Sequence, residues 1–187
     1  MPKLVDLAER DRIVSEAAWR VLVRDGLTEL SVRKVAAEAG LPPSSLRYTF
    51  PTQAAVRERA VALLVDRLTA RVAGHADRES AGATESRAIL HELLPLDDER
   101  RIEMEVSLSL GALAMTDPGL RRAHQKAHEA IRAACGRALS LLGANKTEIA
   151  TLHALIDGLA LHLVRQPADD SDQWAIDALD AYISRLS

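Results

Sequence analysis

The sequence predicts an all-α protein of about nine helices, and three observations carry that prediction. Leu, Ala, Arg and Glu dominate while β-branched residues are sparse, which favours helix because straight-chain side chains lose little rotamer freedom there. Apolar residues recur at three-and-four spacing through most of the chain, the period of a helix with one face in a core. The ends of these runs coincide with Gly, Pro and hydroxyl or acidic residues, the ordinary helix boundaries.

In order, Ile13, Val14, Ala17, Ala18, Val21 and Leu22 form the first stripe, which ends at Gly26, a natural residue for the left-handed position after a helix. Leu27 and Leu30 point inward from the connection. Ser31 caps a second helix with Val32, Val35, Ala36 and Ala39 inward, closed by Gly40. A third segment, Ser44 to Phe50, lies between Pro43 and Pro51. Seven residues cannot sustain a helix alone, so its neighbours must hold it. Thr52 caps a long fourth helix reaching Ala73, with Val56, Ala60, Leu63, Leu64 and Leu68 on one face. Residues 74 to 84 read as a loop. Helices follow near 84–93, 98–116, 118–143, 146–166 and 171–186. Their breaks fall at Pro95, at Asp117-Pro118-Gly119, at Gly143 ahead of an Asn145 cap, and at Pro167 ahead of an Asp170 cap.

Length and composition exclude several classes. A chain of 187 residues buries about 70% of its unfolded surface and needs no disulfide or structural metal. The lone Cys135 cannot bridge internally, so a reducing compartment, the cytoplasm, is the expectation. No run approaches the roughly 18 uninterrupted apolar residues of a membrane span, and the opening Met1-Pro2-Lys3-Leu4-Val5-Asp6 is not a signal peptide. Charge is uneven: residues 1–60 carry ten Lys/Arg against eight Asp/Glu, and 61–187 carry fourteen against nineteen. A weakly basic head on an acidic body hints at an anionic partner for the head.

Residues 31–50 carry the functional signal. A helix, a glycine turn and a second short helix packed on a preceding amphipathic helix make a helix-turn-helix. Ala36, Ala37, Ala39 and Gly40 supply the small residues and the turn, and Leu46 and Phe50, four apart, anchor the inner face. Pro43, Ser44, Ser45, Arg47 and Tyr48 are left at or near the outer face, where small hydroxyls admit close backbone approach and Arg can fork onto guanine. The competing reading is a generic helical corner with exposed Ser and Arg.

The run Leu30-Ser31-Val32-Arg33-Lys34-Val35-Ala36-Ala37-Glu38-Ala39-Gly40-Leu41, followed by Leu46-Arg47-Tyr48-Thr49-Phe50-Pro51-Thr52, resembles the head of the TetR family of transcriptional regulators. The resemblance covers about residues 10–60. It implies phosphate contacts from Ser31, Arg33 and Lys34, base contacts from the third helix, and Thr52 among the DNA-binding residues. Three positions depart from the family pattern: Pro42 stands where a capping hydroxyl is usual, Arg47 and Thr49 where a tyrosine pair is common, and Gln53 where a lysine is frequent. The stretches Leu93–Arg101, Thr116–Arg121 and Leu155–Leu161 are similar to the BetI-type C-terminal domain of one branch of that family.

These likenesses imply a helix-turn-helix domain over 1–52 and a helical regulatory and dimerisation domain over 53–187, with helix 53–73 joining them. The expected partners are a pseudo-palindromic double-stranded DNA operator, a second copy of the chain and an unidentified small-molecule effector that relieves repression. No cofactor and no enzymatic activity are expected. For the dimer interface, Ala154, Gly158 and Leu161 form a slim stripe, and Trp174, Leu179, Tyr182 and Ile183 a bulky face. A four-helix bundle from two chains would bury them, unless they complete the core of one. Met104, Leu108, Met115, Ile131, Leu152 and Ile156 are either pocket lining or plain core. Few aromatics leave little material for a cage around a quaternary ammonium.

His124 and His128, four apart, could clamp a metal from one helix, but no third ligand is evident and no metal is expected. His91, His153 and His162 read as satisfied bundle histidines or pocket polar groups, and Asp97-Asp98-Glu99 beside Arg100-Arg101 as a solvated helix start. No Glu-x-x-His pair, Gly-x-Ser-x-Gly elbow, Walker loop or His-Glu-x-x-His helix is present. The rival functions are a helical adaptor and a small helical-bundle enzyme. The adaptor would bind with little salt dependence, and the enzyme would need a titrating pair that the sequence does not display.

Overall fold

A computed structural model describes residues 7–47, 50–75, 82–167 and 169–186, and among them there are nine α-helices and no strand. They are α1 (Leu7–Asp25), α2 (Val32–Glu38), α3 (Pro43–Arg47), α4 (Gln53–Ala73), α5 (Ala83–His91), α6 (Asp98–Ala114), α7 (Pro118–Leu141), α8 (Ile149–Arg165) and α9 (Gln173–Ile183), with a 3-10 turn, Lys146–Glu148, leading into α8. The all-α prediction and most of its boundaries therefore hold. Within the expected 74–84 loop, residues 76–81 lie outside the described part.

The chain divides into two compact units, Met1–Leu64 with Val106–His124, and Val65–Glu105 with Gln125–Ser187. In the first unit, Val14, Ala17, Ala18, Val21 and Leu22 of the predicted α1 stripe are buried, Ile13 is half-buried, and Leu27, Leu30, Val35, Ala36, Leu46, Phe50, Val56 and Ala60 are buried as well. Trp19, absent from that stripe, is buried too. The glycine after α1, Gly26, has φ +83° and donates its N–H to Leu22 O, which closes the helix as the sequence suggests.

The second unit is built around Ile89, Leu90, Leu94, Leu139, Leu152, Ile156, Leu163 and Leu179, with Cys135 and Ala138 filling between helices. Cys135 is fully buried, which pushes its thiol up to about 12 and leaves it a packing group. Charged ties cross this unit: Arg71 forks onto Glu103 at 3.0 and 2.6 Å, Arg87 reaches Asp180 at 2.6 Å, and Arg137 reaches Glu85 at 2.8 Å.

The acidic start of α6 is solvated as expected, with Asp97, Asp98 and Glu99 all exposed, while the neighbouring Arg100 donates to His91 O and Arg101 to Leu163 O and Asp172. One local boundary needs correction. Helix α9 begins at Gln173 and not at 171, because the capping acceptor is Ser171 Oγ, which receives the Gln173 N–H at 3.2 Å. Among the described residues Asp170 makes no side-chain cap, and Asp172 is bonded by Arg101 and Gln166.

Among the described residues one helix, Lys146–Arg165, is long and apolar enough to cross a membrane by length and composition alone, a test that the core helix of a helical bundle also passes. Its apolarity has a local cause, since α8 supplies Leu152, Ile156, Leu159 and Leu163 to the core of its unit. Even so, only 33% of that apolar window is buried within one chain.

Candidate nucleic-acid interface

The corner between α2 and α3 is fixed by backbone chemistry at both ends. Ser31, in extended geometry, accepts the Lys34 N–H on its Oγ at 3.3 Å and so caps α2. At the other end Gly40 has φ +66°, a conformation costly for residues with a Cβ. Leu41 N–H returns to Ala36 O at 2.9 Å and Gly40 N–H to Ala37 O at 3.2 Å, the paired bonds of a Schellman stop. The chain turns there and Pro43 starts α3 at the first helical position, where a missing N–H is harmless.

α3 is only five residues long, so its stability comes from outside itself. Leu46 and Phe50 are both buried and pin it from behind. Arg10 of α1 donates to Ser45 O at 2.7 Å, which ties the helix to its scaffold by the main chain. Gln53 donates to Leu30 O at 3.1 Å and Arg57 to Thr28 O at 3.2 Å, so α4 holds the connection ahead of α2. These three positioning residues were invisible to motif reasoning, because a side chain bonding a carbonyl leaves no spacing pattern. Gln53 in particular, a departure from the family pattern, has a structural task.

The candidate contact residues divide clearly. Arg33, Pro43, Ser44 and Arg47 are exposed, and neither arginine makes an ion pair among the described residues. Ser45 is half-buried. Thr52 is exposed but its Oγ accepts the Ala55 N–H at 3.1 Å as the cap of α4. Lys34 is engaged, with its ammonium 3.1 Å from both Asp25 and Glu29, and these bonds raise its pKa. Glu38 is likewise held by Arg24 and Arg20, which lower its pKa. Among the described residues of the corner, Arg33 and Arg47 are therefore exposed cations with no carboxylate partner, while Arg10 is spent on the Ser45 carbonyl. Tyr48 lies outside the described residues.

In the second unit, Leu179 and Ile183 are 0% and 1% exposed and belong to the core of their own chain, so they are not available to a partner. The periodicity of α9 had two apolar faces, and these residues sit on the inner one. Ala154 is exposed, and Gly158, Leu161 and Tyr182 are half-buried. Trp174 is 42% exposed, its indole N–H donating to Gln166 at 2.8 Å. A Cβ built on Gly158 meets nothing within 4 Å. Of the candidate pocket residues, Leu152 and Ile156 are closed core, and Met104 and Ile131 pack against it. Leu108 and Met115, in the first unit, are 37% and 78% exposed. Met115 is a surface residue of its unit.

Comparison with known proteins agrees with this geometry. Residues 82–187 match the model of the BetI-type transcriptional repressor C-terminal domain. The chain is 32% identical over 176 residues to the HTH-type transcriptional regulator PksA of Bacillus subtilis (strain 168), covering 89% of this chain and 84% of that protein. Among solved structures, a transcriptional regulator from Rhodococcus sp. Rha1 is 31% identical with a TM-score of 0.77, covering 94% of this chain and 95% of its own. The multidrug binding protein EbrR, complexed with imidazole, is 27% identical with a TM-score of 0.67, covering 92% and 94%. The chain thus belongs to the TetR family of transcriptional regulators, in its BetI-type branch, and is not an enzyme.

Proposed function

We propose that the chain is a homodimeric repressor that binds a pseudo-palindromic operator through α2 and α3 and is released by a small-molecule effector. The observation that carries this reading is the pairing of a pinned, five-residue α3 with two exposed arginines that have no ion pair among the described residues. Arg47 reads guanine from α3, and Arg33 meets backbone phosphate from the first turn of α2. Ser31, Pro43, Ser44, Ser45, Tyr48 and Thr52 complete the contact surface. Lys34 contributes only by giving up Asp25 or Glu29.

The functional division falls at 52/53, with α4 continuing from the reading head into the regulatory body. Ala154, Gly158 and Leu161 of α8, with Trp174 and Tyr182 of α9, form the surface for the second copy, an assignment supported by the apolar residues of α8 that one chain leaves uncovered. A dimer sets two recognition helices about 34–36 Å apart, on successive major grooves. An effector relieves repression by binding more tightly to a state in which that spacing is wrong. That the relative EbrR was solved with imidazole supports a small organic effector for this chain.

The test is a mobility-shift titration on DNA flanking the chain's own gene at 50 and 200 mM salt. With at least six phosphate contacts, affinity falls by about 10³-fold or more across that range. Binding that is absent, or indifferent to salt, overturns the reading.

A further inference from the structure

The spacing of His124 and His128 along α7 invites a single-helix metal clamp, but each ring also meets a different helix. The His124 ring lies over Gly111 of α6, where its Nε2 would be 3.3 Å from a glycine Cβ. His128 instead stacks on His153 of α8, ring centroids 4.3 Å apart and planes tilted by 36°. One turn further along α8, Asp157 Oδ1 stands 3.7 Å from His153 Nε2. One ligand atom from each of His128, His153 and Asp157 comes within 4.8 Å of the other two.

We propose that these three residues bind a divalent first-row transition ion of the zinc class, bridging α7 and α8. His153 is the reason. It is 4% exposed, on the helix face that otherwise offers Leu152, Ile156, Leu159 and Leu163 to the core, and its Nε2 is buried with no hydrogen-bond partner among the described residues. A buried polar atom without a partner costs stability unless something satisfies it.

The donor set also selects the ion. Two imidazoles and one carboxylate suit zinc, cobalt or nickel, whereas magnesium and calcium prefer oxygen alone. Bonds of about 2.0–2.1 Å place tetrahedral ligand atoms ~3.3 Å apart, so the His153–Asp157 separation is already close. His128 and Asp157 are exposed, and their side chains can close the remainder. Three protein ligands leave the fourth position to water or another small donor. The proposal does not depend on DNA binding, and its failure leaves the regulator reading intact.

The experiment uses the untagged full chain, stripped with chelator and titrated with Co²⁺ and Zn²⁺. It follows the visible absorption of tetrahedral cobalt, and heat of binding for zinc. One ion per chain is expected, with zinc raising the melting temperature. His128→Ala and Asp157→Asn each weaken binding by at least about tenfold and abolish the zinc-dependent rise, and His128→Ala, away from the proposed dimer surface, melts like the parent without metal. His124→Ala binds as the parent does. Absence of binding, survival of binding in both ligand variants, or its loss in His124→Ala overturns the proposal.

Discussion

Gly158→Leu separates a dimer built on α8 from a free-standing chain, because the two accounts predict opposite signs. Within one chain a Cβ at Gly158 meets nothing within 4 Å, so there is open space where a larger side chain begins. Glycine in a helix interior is about 0.8–1.0 kcal/mol worse than alanine and leucine is nearly as good as alanine, so the isolated chain gains roughly 0.8 kcal/mol. For a chain of this length that raises the melting temperature by about 2–3 °C. In a dimer with Ala154, Gly158 and Leu161 at the close approach, each copy inserts an extra side chain into packed space. Overpacking costs about 1–3 kcal/mol per site, hence about 2–6 kcal/mol for the pair, which is at least ~30-fold in the dissociation constant. Sedimentation equilibrium over a concentration series measures that constant, and thermal unfolding at low concentration measures the chain. A variant that remains as tight a dimer as the parent and simply melts higher refutes the placement of the interface.

Leu46→Ala empties a fully buried position behind α3. It destabilises the first unit by about 2–5 kcal/mol and lowers operator affinity with it; urea unfolding and DNA titration check both, and undiminished affinity contradicts the pinning argument. His91 provides a pH dependence. Burial lowers its pKa below 6.5, with Arg87 and Arg100 reinforcing the shift and Asp180 and Glu92 opposing it. Below pH 6.5 the unfolded chain therefore takes up a proton that the folded chain resists, and stability declines as the pH falls toward the folded value. The urea midpoint should drop less between pH 7.5 and 5.5 in His91→Gln than in the parent, and equal drops would contradict the assignment.

Local geometry was legible in the sequence and long-range pairing was not. Gly26 and Gly40 could be read because a left-handed residue after a helix is a demand of a few neighbouring bonds, and Leu46 and Phe50 because four-residue spacing fixes a helix face. The start of α9 fell two residues later than read because the Gln173 N–H goes to Ser171 Oγ, and a hydroxyl one residue beyond the acid looks no different in sequence from a capping acid. Leu179 and Ile183 were misassigned because a helix with two apolar faces does not declare which one meets its own core. The clearest case is His128. Its sequence neighbour at the right spacing is His124, yet the ring it meets belongs to His153 on the next helix. Arg10, Gln53 and Arg57 hold the corner through main-chain carbonyls, a use of side chains that composition and period cannot show.

The central claim, that the α2–α3 corner reads DNA, is tested most directly by a salt series of operator titrations with the parent, Arg47→Ala and Arg33→Ala. Loss of a bidentate base contact at Arg47 should weaken operator binding by about 1–3 kcal/mol, or 5- to 150-fold. Loss of a phosphate contact at Arg33 should make the dependence of log affinity on log salt shallower by about one unit per chain. Affinity and slope unchanged in both variants would contradict the account.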